Sequence, residues 1–195
     1  MERNVYLIKW YGPFSDIDSA REWNKETQIP CNLYLISGMK KHAKTSIHYY
    51  IGETERRIIT NRFMDKGHHI KDFSRLKELW VGTFVNKKVT HKDIMTAERM
   101  MISYFVGEVG EEKMLNKINF SLPNPNVYVI SEWIKPDTAR AWSNLPKNSP
   151  GNIMADVIVN KVTDQAFKYY LYTAKKLKRQ ERKSHTSKRL IVEIV

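Results

Sequence analysis

Two short runs, "NLYLIS" at 32–37 and "IHYYIG" at 47–52, dominate what this chain can become. Both are rich in aromatic and β-branched residues, and the loop between them is basic and polar, so they read as a pair of β-strands. Side chains on a strand alternate between faces. Tyr34 and Tyr50 therefore sit in similar apolar settings on neighbouring strands, with Gly52 closing the second run. A third strand is expected over 77–86, "KELWVGTFVN", and a fourth at the start, "NVYLIKW" over 4–10. The pattern predicts a mixed α/β (α+β) chain.

Helical spacing appears between these runs. "DSAREWNKE" reads as a short helix capped by Asp18 or Ser19, and "RRIITNRFMDK" (56–66) as another. Thr90 caps "HKDIMTAERMMISYF" (91–105), and "EEKMLNKIN" (111–119) is expected to be a further short helix. "SLPNPN" (121–126) is a turn-rich break. Beyond it "NVYVISEW" (126–133) and "DTARAW" (137–142) echo "NVYLIKW" and "DSAREW", which predicts a strand–helix element used twice as matching flanks. "LPKNSPGN" (145–152) reads as a loop, 164–183 as one helix running into a basic stretch, and "RLIVEIV" (189–195) as a closing strand. The expected division is a strand–helix extension over 1–31, a central domain over 32–120 and a C-terminal extension over 121–195.

Charge narrows the choice of partner. Lys plus Arg number 33 against 21 acidic residues, a formal net charge of +12. An excess of this kind favours a polyanion, because neutralised phosphates release condensed counterions. Residues 175–189 alone hold eight Lys/Arg and one Glu. Lys175, Lys176, Lys178, Arg179, Arg182 and Lys183 are thus expected on nucleic acid, together with Lys40, Lys41, Lys44, Lys66 and His68 nearer the strand pair. One cysteine excludes an intrachain disulfide framework and fits a reducing compartment. The start lacks the apolar core of a signal peptide, and no run approaches membrane-spanning length, so a soluble cytoplasmic protein without a membrane partner is expected.

Two charges fall where apolar residues belong. In 91–105 Ile94, Met101, Ile102 and Phe105 form a stripe, and Glu98 lies inside it. In 56–66 Arg62 is four residues after Ile58 and three after Ile59, again on the inward face. An unpaired buried charge costs several kcal/mol, roughly, so each needs a partner, a metal or a function. A carboxylate for a hard cation, a guanidinium for a phosphate and phenols to relay a proton are the parts of metal-assisted phosphodiester hydrolysis.

The order of "NLYLI", "YYIG", "NRF", "AER" and "MLNK" resembles the GIY-YIG nuclease superfamily over residues 32–119. The resemblance implies a small three-stranded antiparallel sheet flanked by helices, cutting nucleic acid with one Mg²⁺ (or Mn²⁺). It implies that Tyr34 and Tyr50 help deprotonate the attacking water, that Gly52 allows close approach where the first helix begins, and that Arg62 binds the scissile phosphate. Glu98 would be the sole carboxylate on the metal, and Asn116, or more weakly Asn119, would hold the site together. The sequence departs from the family at Asn32, where glycine is usual, at Glu53, where some members carry a phosphate-contacting lysine, and at Lys66, where many carry histidine; His68 and His69 reach that place only if the helix has ended. A duplex-DNA endonuclease of restriction, phage or mobile-element type is expected, working as a homodimer or by sequential nicking. A binding protein that has lost catalysis and an RNA-directed nuclease are the alternatives.

Overall fold

The first strand, β1 (Arg3–Phe14), buries Tyr6, Ile8 and Trp10 on one face and leaves Val5 and Leu7 on the other about two-fifths exposed. This alternation places one edge of the core under every second residue. In this computed structural model, which describes residues 3–43, 45–56, 59–86, 88–117, 126–161, 166–173 and 176–180, β1 lies inside a wide sheet. The other strands are β2 (Leu33–Lys40), β3 (Ile47–Glu53), β4 (Phe73–Phe84), β5 (Asn126–Ile134), β6 (Val157–Lys161), β7 (Ala166–Thr173) and β8 (Lys176–Gln180). Their order is β3-β2-β4-β1-β5-β6-β7-β8. The class is mixed α and β.

The antiparallel β3-β2-β4 group is present, yet it is not a small separate three-stranded sheet. It continues through β1, which pairs antiparallel with β4 and parallel with β5. The cause is visible in β1 and β4, where Trp10 and Trp80 are fully buried and need a sheet continuous across them. β5 is the echo of β1, and the two lie side by side, with Trp10 opposite Trp133 and their rings stacked at 5.6 Å. The helical half of the echo is absent. Residues 136–138 form a turn and Ala141 bridges back to Ile134, with Trp142 donating from Nε1 to the Gly12 carbonyl at 2.8 Å and its ring under the Lys135 ammonium.

Helix α1 (Ile17–Thr27) is capped by Asp16, two residues earlier than Asp18, with Ser19 N–H donating to its carboxylate at 2.8 Å. Helix α2 (His91–Val109) is capped by Thr90 in a capping box with Asp93 and runs beyond Phe105 to Gly110. Its buried residues include Ile94, Met101, Ile102 and Phe105, packed in one cluster with Leu33, Leu35, Tyr49 and Ile51 of the strand pair. The opposite face of the same strands carries Tyr34 and Ile36, packed with Phe63, Ile70, Leu79 and Val81. β2 is therefore buried on both faces, which is why it reads as an unbroken apolar run.

Three expected helices take other forms. The described residues of the 56–66 stretch form a 3-10 turn, Ile59–Met64, followed by a second, His69–Asp72. Ile59 and Phe63 are fully buried there, and the Ile59 N–H donates to Asn24 Oδ1, so α1 fixes the turn's start. The described part of the 111–119 stretch, to residue 117, forms a 3-10 turn, Glu111–Lys113, and then passes beside β3, where Leu115 N–H donates to the Tyr49 carbonyl at 2.8 Å. An edge strand with open hydrogen-bonding groups takes up the passing chain. The described residues of the 164–183 stretch form strands β7 and β8, consistent with the strand preference of Phe167, Tyr169, Tyr170 and Tyr172. A short helix α3 (Pro150–Ile153) sits in the predicted 145–152 loop. The closing strand over 189–195 and most of the 121–126 break lie outside the described residues.

Candidate active site

The β2–β3 register brings the tyrosines together. Tyr34 stands opposite Gly52, and Tyr50 stands opposite Ile36, so the two phenols share a face on a diagonal. Their ring centroids are 6.0 Å apart. A Cβ on Gly52 would collide with the Tyr34 hydroxyl. Gly52 thus makes room for the Tyr34 ring across the ladder, and not for the start of a helix.

His68 completes this face. It is buried, with Nε2 2.8 Å from the Tyr34 hydroxyl and Nδ1 accepting from the Ile70 N–H at 3.1 Å. Burial and the nearby Arg62 charge lower its pKa to about 4, so the ring is neutral at pH 7. A neutral ring that accepts at Nδ1 carries its proton on Nε2. It therefore donates to the Tyr34 oxygen and leaves the Tyr34 proton free to point at the Tyr50 phenol. His68 is accordingly no surface nucleic-acid contact. The arginine turn ends at Met64, early enough for the chain to fold back over Gly67 and insert the imidazole.

Burial raises the pKa of both phenols. For Tyr34 the second cause, the Tyr50 phenol, pushes the same way. For Tyr50 the neighbouring Tyr34 hydroxyl and the Arg62 charge oppose the rise. Of the two oxygens, Tyr50's is the better placed to accept negative charge. The His69 ring lies tilted beside Tyr50, with centroids 5.0 Å apart, and its Nδ1 is 2.8 Å from Asp72 Oδ2.

Arg62 is partly exposed and lies within electrostatic reach of Tyr34, Tyr50 and Glu98. Its Nη1 is 2.5 Å from Asp65 Oδ2, and that hydrogen bond raises the guanidinium pKa further. Glu98 projects from α2 at the edge of the core. Burial first, then the neighbouring Glu53 carboxylate, raise its pKa to about 7, opposed by Arg99 and Arg62. No described residue donates a hydrogen bond to it. Glu53, at the end of β3, has a buried Oε2 without a hydrogen bond, with His91 Nε2 at 3.4 Å. Two neighbouring carboxylates short of donors fit a hard divalent cation that takes its remaining ligands from water and phosphate. Among the described residues no group of three or more His, Cys, Asp or Glu is placed to hold a metal ion.

Asn116 holds the edge of this assembly. Its side chain accepts from the Ile51 N–H at 3.0 Å and donates to the Ile51 carbonyl at 2.8 Å, as a neighbouring strand would. Residues 50 and 52 flank that anchor. Asn119 and Lys44 lie outside the described residues, as do Lys175, Arg182 and Lys183. Lys40 ends β2, with Lys41 beside it, and Lys66 follows the arginine turn; all three are exposed. Lys176, Lys178 and Arg179 belong to strand β8 rather than a helix.

Glu53 and Asp65 were not legible as site residues. Glu53 stands out only once β3 is known to end beside α2, and Asp65 only once the turn is known to be 3-10. No helix among the described residues is long and apolar enough to cross a membrane. The chain matches no protein-family model, no curated protein and no solved structure.

Proposed function

We propose that this protein is an endonuclease that hydrolyses phosphodiester bonds of DNA with one divalent cation, Mg²⁺ or Mn²⁺. The observation that carries the reading is the buried His68–Tyr34 hydrogen bond, set beside Tyr50 and within electrostatic reach of Arg62 and Glu98. These groups come from two strands, two turns and a helix. A merely structural role for each would not require them to meet.

The chemistry follows from the order of the donors. His68 donates to Tyr34, Tyr34 is free to donate to Tyr50, and the Tyr50 oxygen, as a phenolate whose own proton has first gone to solvent, is then the terminus that takes a proton from an attacking water. Arg62 favours charge on Tyr50 and is suited to stabilising the extra charge on the pentacoordinate phosphate. Glu98, with Glu53 beside it, would hold the cation, whose charge polarises the phosphodiester and the leaving oxygen when bound. Asn116 keeps β3, and with it Tyr50, in register. The +12 charge and the exposed Lys40, Lys41 and Lys66 favour a polyanionic substrate.

The test is cleavage of a randomised duplex pool by purified protein with Mg²⁺, followed by end sequencing. Cut ends, their strand number and any shared sequence around them are expected, with restriction-type recognition giving a fixed motif. Duplex that is retained but never cut, with either cation, would identify a binding protein instead. Cleavage confined to an RNA pool would make the RNA-directed alternative correct.

A further inference from the structure

Arg62 shares its anion with a second arginine. Arg56 grips Asp65 with both guanidinium ends, Nη1 to Oδ1 at 2.9 Å and Nη2 to Oδ2 at 3.0 Å, while Arg62 reaches only Oδ2 through Nη1. Arg56 Nη1 also donates to the Asn61 carbonyl at 2.8 Å, so the bidentate pair is anchored to the turn itself. All three side chains are partly exposed, at 47% for Arg56, 40% for Arg62 and 28% for Asp65, so a ligand can reach the cluster. Two guanidiniums on one carboxylate leave one positive charge in excess.

A carboxylate and a phosphodiester make the same demand on a guanidinium, two oxygens in the plane of its fork. We propose that Asp65 is an internal stand-in for the substrate phosphate on Arg62, and that Arg56 is the positioning residue that keeps Asp65 once the phosphate takes its place. The inference rests on the reading of Arg62 as the phosphate-binding group. Its direction comes from the unequal grip. The single contact to Arg62 is the one that exchanges, and the double contact to Arg56 is the one that persists. Arg56 thereby makes the exchange easier, because Asp65 is never left without a cation. Without a polyanion, Asp65 holds the Arg62 charge satisfied beside the neutral phenols, so a weak anion does not occupy the site. Only a ligand that brings further phosphates to the surrounding lysines displaces it.

The prediction is a pattern of duplex affinities, read by fluorescence anisotropy on the full chain without divalent metal. Asp65→Asn should bind a short duplex ~10-fold tighter than wild type, whereas Glu55→Gln, the same charge change on an exposed neighbour, should gain about twofold or less. Arg56→Gln should bind ~10-fold more weakly, because Asp65 then clamps Arg62 alone, against about twofold for Lys25→Gln on α1. The double variant Arg56→Gln/Asp65→Asn should return to the affinity of Asp65→Asn, and the gain from Asp65→Asn should vanish in an Arg62→Gln background. A purely structural role for Asp65 predicts looser binding and a lower melting temperature instead. The proposal is overturned if Asp65→Asn binds no tighter than Glu55→Gln, if Arg56→Gln matches Lys25→Gln, or if no variant binds duplex at all. The same affinity pattern without any Mg²⁺-dependent cutting would leave this exchange standing and remove the catalytic reading.

Discussion

The two faces of the β2–β3 pair are built by different rules. On one face the odd residues Leu33, Leu35, Tyr49 and Ile51 meet α2, and the contact is almost wholly apolar. On the other, Tyr34 and Tyr50 meet two short 3-10 turns that bring in His68 and Arg62. A long helix buries a regular stripe and tolerates few polar groups. Short turns leave backbone and side-chain donors near the sheet, where they can be aimed at one another. The helical face stabilises the fold, and the turn face holds the groups to which we assign the proposed chemistry. Glu98 is where the two meet, a charge inside the stripe of α2.

That division can be broken by substitution on each side. The largest effect is expected at Glu98. Glu98→Gln should lower the nicking rate by more than about 10³-fold, as expected for loss of the sole α2 carboxylate on a catalytic cation. The same change should stabilise the fold. The folded pKa of Glu98 is raised to about 7 from the ordinary 4.5, so its favourable contribution is complete below the unfolded value and is lost as pH rises through about 7. At pH 8 the neutral glutamine should therefore unfold with about 2 kcal/mol more free energy than wild type, measured by urea denaturation. A fall in stability at pH 8 would mean the carboxylate is paired and not stranded.

Phe105→Ala, on the helical face, should cost about 3–4 kcal/mol of stability while leaving the specific activity of the remaining folded protein within a few-fold. The opposite result, intact stability with lost activity, would erase the contrast between the faces. Tyr34→Phe should do the reverse. It removes the hydroxyl that His68 and Tyr50 share, and should lower kcat by ~10- to 100-fold with little change in KM. Asn116→Ala, which frees both Ile51 backbone groups at the edge of β3, should cost about 2 kcal/mol and a modest part of kcat.

What the sequence revealed follows the same division. Strand alternation was enough to put Tyr34 and Tyr50 on one face, and the 3.6-residue period was enough to make Glu98 an anomaly in α2. Thr90 was recognisable as a cap because a capping box is a local device. Arg62 was placed inward on an α-helix, but the turn is 3-10 and the arginine is half-exposed with Asp65. The position of His68 depended on where that turn ended, and the anchor for its start is Asn24, a residue 35 positions upstream on α1. β7 was misread because its aromatics also fit a helical spacing and ran into a lysine-rich stretch. The width of the sheet was hidden because the pairing of β1 with β4 and β5 is set by distant segments, not by any local signal.

The most direct test of the central claim is nicking of supercoiled plasmid by wild type and Glu98→Gln across pH 6 to 8.5, with Mg²⁺ and with chelator. Wild type should nick only with the cation, with a rate that falls on the acid side as protons compete with the cation for Glu98, while Glu98→Gln binds the plasmid and leaves it supercoiled. Nicking that is undiminished in Glu98→Gln, or that persists in chelator, would contradict it.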